Sequence, residues 1–182
     1  LWAARGHEVL IKHGGILQDL ITASCIFWNM RATRFRAFEE YYPWEEGYPP
    51  LAFSTLSVAR LVGESVIDID HVKEGLNIAA KQLSSRFESK AANQQVAGFA
   101  ALSWVRKILP ECITYETWES LLVETLTLQD SEGWYQEYGG PDLGYLSVTI
   151  DCLWDAYDAC KDDRLLASAE KSFEFIEKMT AY

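Results

Sequence analysis

The stretch from Gln129 to Val148 concentrates the side chains that could do chemistry. It predicts the end of one helix, a loop of carboxylates and rings, a Gly-Gly-Pro break and a second helix. Aromatic faces stack on pyranose rings, and paired carboxylates can act as acid and as nucleophile or base on a sugar. Glu137, between Tyr135 and Tyr138, would have a raised pKa if desolvated, and is the predicted catalytic carboxyl group. The loop contains Asp130, Glu132, Trp134, Tyr135, Glu137, Tyr138 and Asp142.

The same loop also has a structural interpretation. Trp134 and Tyr138 would then fill the space between repeated units, and Asp142 would stabilise the N-terminus of the next helix. In the functional interpretation, Trp134, Tyr135 and Asp142 contact the substrate. The residue types are compatible with both interpretations.

A sequence repeat with a step of about 46 residues runs through the chain. In each unit a small residue precedes a ring, and an aliphatic residue stands three positions after the ring. Helical periodicity accompanies the repeat, and no stretch alternates like a hairpin strand. The sequence therefore predicts an all-α single domain over residues 1–182, built from four αα-hairpins. The small-residue and ring pairs are Gly6-His7, Ala52-Phe53, Gly98-Phe99 and Gly144-Tyr145.

The hairpins could stack as an open solenoid or curve into a ring. The first helix of a pair is the more continuously apolar, as in residues 96–105, which is typical of helices covered on several sides. This favours a ring, with His7, Phe53, Phe99 and Tyr145 at a common mouth. Because the chain does not begin with methionine, it is interpreted as a fragment of a longer protein.

Capping residues predict where the helices begin and end. Gly14-Gly15 would end a first helix, since glycine favours the left-handed conformation found after helices. Asp68 or Asp70, then Thr114, would begin later helices with side-chain caps. Asp162 would cap the last helix.

Charge and composition exclude several classes of function. A net charge of −11 argues against a nucleic-acid or anionic-membrane partner. No apolar run reaches the roughly 18 residues of a membrane span. Cys152 and Cys160 would lie about 12 Å apart on one helix, which is too far for a disulfide. The cysteine pattern favours a reducing, cytoplasmic location, and a homo-oligomer is left open.

Other catalytic chemistries find little support in the sequence. His13 and His71 have no acidic or cysteine partner at metal spacing, and the chain has only three histidines, so no metal ion or cofactor is predicted. No serine has the context of a nucleophile elbow, and no glycine-rich phosphate loop is present. Asn93, Gln94 and Gln95 form a polar patch at a helix start, which could bind sugar hydroxyls or cap the helix.

The segment 133–145, the repeat length and the helix start at Asn93 resemble the (α/α) toroids of carbohydrate-active enzymes. The nearest resemblance is to the helical domain of heparinase II/III-like and alginate-type polysaccharide lyases. It implies an oligo- or polysaccharide partner lying across the mouth of the toroid. By position it implies Tyr145 or Tyr138 as the acid or base. It further implies His7 as the partner of that tyrosine and Asn93 as the group that neutralises a substrate carboxylate.

The sequence also departs from these lyases, since it lacks clustered basic residues, a β-domain and an Asn-His pair. Its acidity favours a neutral or basic sugar and hydrolysis. The predicted function is therefore a carbohydrate-processing toroid, either lyase or glycoside hydrolase. The alternative is a non-catalytic helical-repeat module that binds a peptide or partner protein along Phe53, Phe99 and Tyr145. A third interpretation, a terpenoid-cyclase-like toroid, rests on the single Gln-to-Trp motif at 129–134.

Overall fold

The computed structural model describes residues 14–36, 38–43 and 45–180, and all regular structure in these ranges is helical. The predicted all-α class is confirmed. None of the helices in these ranges has both the length and the apolarity to cross a membrane. His7 and the predicted first helix lie outside the described residues. The α-helices are α1 (Gly14–Phe35), α2 (Tyr48–Gly63), α3 (Lys73–Ser84), α4 (Ala92–Ile108), α5 (Tyr115–Leu126), α6 (Leu143–Cys160) and α7 (Asp163–Thr180).

Several predicted helix caps are present in the structure. The Thr114 side chain accepts a hydrogen bond from the backbone N–H of Thr117 at the start of α5. Asp162 accepts one from the backbone N–H of Arg164 at the start of α7. Asp68 caps only a single 3₁₀ turn, Ile69–His71, and α3 begins at Lys73.

Gly14 and Gly15, which were predicted to cap the end of a first helix, begin α1 and have no left-handed backbone, and the helix predicted before them lies outside the described residues. Glycine ends a helix only where the backbone turns left-handed, and elsewhere it is tolerated at a cost of about 1 kcal/mol. The four cysteines, all in the described ranges, are free thiols, and Cys152 and Cys160 do share one helix.

Helix α4 lies at the centre of the fold and is buried along most of its length, as the apolar run in its sequence predicted. It packs most extensively against α2 on one side and α6 on the other. Helices α1, α3, α5 and α7 form a second layer behind this row. The layer is joined by packing of α1 on α3 and of α3 on α5, and by an ion pair between Arg164 and Glu119 that links α7 to α5.

Helices α2, α4 and α6 run in the same direction. At their first turns the Tyr48 hydroxyl donates to Gln95 Oε1, over a sequence separation of 47. At their last turns Trp104 Nε1 donates to the backbone oxygen of Asp155, over a separation of 51. In the second layer, the backbone N–H of Gly75 donates to Asn29 Oδ1, 46 residues away. These separations are close to the step of the sequence repeat.

Small residues allow helices to pack closely at some positions of the repeat, but not at every position. A Cβ on Gly98 would lie 2.3 Å from the Tyr48 hydroxyl oxygen, so glycine permits the contact between α4 and α2. Gly144 is exposed, and a Cβ there would meet only Asp142, at 3.2 Å. No other helix approaches Gly144, because the start of α6 faces solvent, so the small residue of this unit does not permit the helix crowding that the repeat would suggest.

Candidate functional site

The loops that lead into α2, α4 and α6 meet at one end of the fold. We call this end the rim, and define it as residues 38–43, 45–47, 85–91 and 127–142 with the first turns of the three helices. The backbone N–H of Tyr138 donates to the Lys90 oxygen at 3.0 Å, and that of Ala92 donates to the Gln136 oxygen at 3.2 Å. The loop before α6 is thereby fixed against the start of α4.

Glu137 is buried at the rim, with 5% of its surface exposed. Its Oε1 accepts a hydrogen bond from the backbone N–H of Asn93 at 2.6 Å. Since Ala91, the residue that precedes α4, has no side-chain cap, Glu137 caps this helix from a distant part of the chain. Its other oxygen, Oε2, is buried and has no hydrogen-bond partner among the described residues.

Burial raises the pKa of Glu137, and the nearby charges of Asp142 and Glu88 raise it further, whereas the hydrogen bond from Asn93 lowers it. The raised pKa predicted from the sequence thus agrees with the structure. Glu137 combines a raised pKa with a carboxyl oxygen that receives no hydrogen bond from the described residues. A carboxyl group of this kind can serve as a general acid.

The three polar residues at the start of α4 have different roles. Asn93 is buried, and its Oδ1 accepts from the backbone N–H of Gln94. Gln95 is also buried, where its side chain accepts from Glu88 N–H and donates to Thr125. Only the Gln94 side chain reaches outward, with Nε2 donating to the Tyr138 hydroxyl at 3.3 Å.

Exposed tyrosines cover the rim. Tyr138 is 69% exposed and Tyr145 is 44% exposed, and their ring centroids are 6.2 Å apart. Tyr138 has a φ of +46°, which is unusual for a bulky side chain and costs of order 1 kcal/mol or more. Tyr41 and Tyr42 add two further exposed rings. The rim therefore presents aromatic surface to solvent, as a sugar-stacking site requires.

Two predicted substrate contacts, Tyr135 and Phe99, lie in the core instead. The Tyr135 hydroxyl hydrogen-bonds to Ser168 at 2.8 Å, and the Phe99 ring packs against Trp118 with centroids 5.6 Å apart. Both rings are almost fully buried, so they have a packing role, and Phe99 does not share a mouth with Tyr145. Trp134 is half-buried and packs against the same core.

Asp142 lies on the exposed surface, where its Oδ1 accepts from the backbone N–H of Tyr145 at 2.9 Å. It is therefore the N-cap of α6, as the structural interpretation of the loop predicted. Its charge also contributes to the raised pKa of Glu137.

Below the rim, α2 and α6 face each other across a cavity of about 530 Å³, which we call the groove. Phe53 and Val148 lie on opposite sides of it. Tyr145 precedes Val148 by about one turn on the same face of α6, so the groove begins about one helical turn below the rim. The groove is lined by Phe53, Leu56, Ser57, Arg60, Leu61 and Glu64 of α2 and by Val148, Asp151, Cys152 and Asp155 of α6.

An ion-pair network closes the far end of the groove. Arg60 Nη1 lies 2.5 Å from Asp155 Oδ1, and its Nε lies 3.1 Å from Glu64 Oε1. Burial raises the pKa of Asp155 from 3.8 to about 6, although Arg60 lowers it. The sequence did not predict this network, because Arg60 and Asp155 are 95 residues apart. The local signals were the i,i+4 pair Arg60 and Glu64 on α2 and the pair Asp151 and Asp155 on one face of α6.

Replacing Arg60 by methionine is expected to destabilise the fold in a pH-dependent way. Because the pKa of Asp155 is raised to about 6, its charge appears as pH rises through this value, and Arg60 then compensates it. We expect Arg60→Met to cost about 1–2 kcal/mol near neutral pH, a value reduced by the partial exposure of Arg60, and much less at about pH 4. Denaturant unfolding at both pH values measures this difference.

The matched control is Lys178→Met, which removes an exposed cation paired with Glu174 on α7. It should change stability by less than about 0.5 kcal/mol at either pH. An equal cost for Arg60→Met at both pH values would show that its charge does not compensate Asp155.

Among residues 14–36, 38–43 and 45–180, no group of three or more His, Cys, Asp or Glu side chains is arranged to hold a metal ion. Comparisons with family models, curated proteins and solved structures find no match to this chain. The rim and the groove are therefore the features of the described residues that bear on function.

Proposed function

We propose that this chain is part of an (α/α) toroid that processes carbohydrate, with the sugar bound at the rim and in the groove. The observation that carries the proposal is the ion pair between Arg60 and Asp155, which joins α2 to α6 although α4 lies between them. Neighbouring helix axes are about 8–10 Å apart. In a flat row, α4 would separate the facing sides of α2 and α6, so their contact supports a row curved around the groove.

Sequence separations and exposed surfaces support a longer repeat. Contacts between equivalent helices of neighbouring hairpins join residues 45 to 51 positions apart, as in Arg164–Glu119, Tyr48–Gln95 and Trp104–Asp155. Both ends of the array expose large apolar side chains, among them Phe27 of α1 and Trp154 of α6. Further hairpins would cover these faces, as a complete ring needs.

Glycoside hydrolysis is the reaction favoured by Glu137, Tyr138 and Tyr145 at the rim. Glu137 would donate a proton to the leaving oxygen as the glycosidic bond breaks, since its pKa is raised and its Oε2 is unused. Water would then supply the hydroxyl group that bonds to the anomeric carbon and would return its proton to Glu137. Tyr138 and Tyr145 would stack on sugar rings. A lyase acting on uronates is less favoured, because three carboxylates line the groove against one arginine, and Asn93 is buried at the start of α4.

A second candidate function is a non-catalytic helical-repeat module that binds a peptide or partner protein. The observation in its favour is that Glu137 already has a structural role as the cap of α4, which needs no substrate. Only the first candidate function predicts turnover of an oligosaccharide.

A panel of neutral, amino and uronate oligosaccharides tests the proposal on the full-length protein. A hydrolase releases reducing ends without a new ultraviolet absorbance, whereas a lyase creates an absorbing unsaturated product. If Tyr145 stacks on sugar, Tyr145→Ala should weaken binding by about five- to tenfold and Tyr145→Phe should not. If its hydroxyl transfers a proton, Tyr145→Phe should abolish turnover.

Tyr115→Ala is the matched control, since Tyr115 is an exposed tyrosine on α5, away from the rim. It should leave binding and turnover unchanged. Absence of both binding and turnover across the whole panel would reject the carbohydrate function.

A further inference from the structure

The groove has an excess of negative charge. Glu64, Asp151 and Asp155 line it, and the only basic side chain in its lining is Arg60. Arg60 is shared between Glu64 and Asp155, and Asp151 is exposed and has no ion-pair partner in the described part of the chain. A positively charged group in the groove would therefore meet uncompensated carboxylates.

Asp155 offers a specific acceptor for such a group. The residue is only 8% exposed, and Arg60 occupies its Oδ1. Its Oδ2 accepts no hydrogen bond from the described residues, although the side chain borders the groove. This oxygen is not among the buried atoms that lack a partner, so it keeps access to solvent at the groove, where a ligand N–H would make a charge-assisted hydrogen bond with it.

The rest of the groove lining can pack against the face of a ligand ring. Phe53, Leu56 and Val148 provide apolar surface, and the Ser57 hydroxyl lies beside them. A volume of about 530 Å³ is within the range of small-ligand sites. A ligand that combines an apolar ring face with a cationic nitrogen matches both walls.

We propose that the groove binds an amino sugar with a free, protonated amine, held by Asp151 and Asp155 while its ring packs against Phe53. This inference rests on the proposed carbohydrate function and narrows its substrate to glucosamine-type units. N-acetylation would remove the charge, and a uronate would be repelled by the same carboxylates.

Calorimetric titration of the full-length protein with the tetramers of glucosamine, N-acetylglucosamine and glucose tests the inference at neutral pH and low salt. We expect the glucosamine tetramer to bind about tenfold more tightly than the other two. Asp151→Asn should reduce this preference severalfold, and added salt should do the same. Asp151 is exposed, so this variant should fold.

Glu177→Gln is the matched control, because it removes the same charge from an exposed position of α7 outside the groove. It should leave the preference unchanged. Equal affinity for the three tetramers, or a preference that survives in Asp151→Asn, would overturn the inference. If the glucose tetramer binds and is cleaved without any preference for amines, the inference fails and the proposed function stands. If no oligosaccharide in the wider panel binds, both fail.

Discussion

Replacing Gly133 by alanine is expected to destabilise the protein by about 3 kcal/mol, because the backbone here cannot accept a side chain. Gly133 has a φ of +106°, and a Cβ would lie 2.3 Å from the backbone oxygen of Lys171. That oxygen belongs to α7, and the Ser172 hydroxyl next to it donates to the Gly133 oxygen at 2.7 Å. Relief of the clash would require the loop to move away from α7. Denaturant unfolding measures the loss.

Gly140→Ala is the matched control in the same loop, since Gly140 has no atom within 4 Å of an added Cβ and no positive φ. It should change stability by less than about 0.5 kcal/mol. Gly139→Ala tests backbone strain without a steric clash, because Gly139 has a φ of +112° but open space around it. Unfolding of Gly133→Ala at the same denaturant concentration as Gly140→Ala would contradict the anchoring of this loop on α7.

Replacing Glu137 by glutamine is expected to lower turnover of the cleaved oligosaccharide at least about a hundredfold, because the amide cannot donate an acidic proton. The fold should be retained, since the Gln carbonyl oxygen can still accept from Asn93 N–H, as Glu137 Oε1 does. Steady-state kinetics and a thermal melt measure the two effects. Retained turnover would leave Glu137 with the capping role alone.

The pH dependence of the same pair of proteins provides a second readout. Burial raises the pKa of Glu137, so the folded protein binds this proton more tightly than the unfolded chain does. The wild-type protein should therefore lose stability as pH rises through the raised pKa, and its activity should fall in the same interval as the acid deprotonates. The stability of Glu137→Gln should lack this dependence on pH. Glu132→Gln, at an exposed carboxylate of the same loop, should retain it.

Neighbouring residues in the loop before α6 show how far sequence reasoning reaches into the candidate site. Tyr135 and Tyr138 are three positions apart and were both predicted to face a ligand. Tyr135 is nearly fully buried on Ser168, whereas Tyr138 is mostly exposed. The backbone is left-handed at Tyr138 and Gly139, at the end of this segment. No local pattern distinguishes the two rings, because their exposure depends on where α7 packs.

The sequence alone determined the features that depend on interactions between neighbouring residues. Side-chain periodicity and caps such as Thr114 and Asp142 act within one or two helical turns, so the all-α class and many helix boundaries can be read from neighbouring residues. Tertiary structure alone decided that Arg60 and Asp155 meet and that the Glu137 carboxylate caps α4. These contacts join residues 95 and 44 positions apart. Such pairings depend on how helices pack and on which polar groups lose water, and neither quantity is a property of a short stretch of chain.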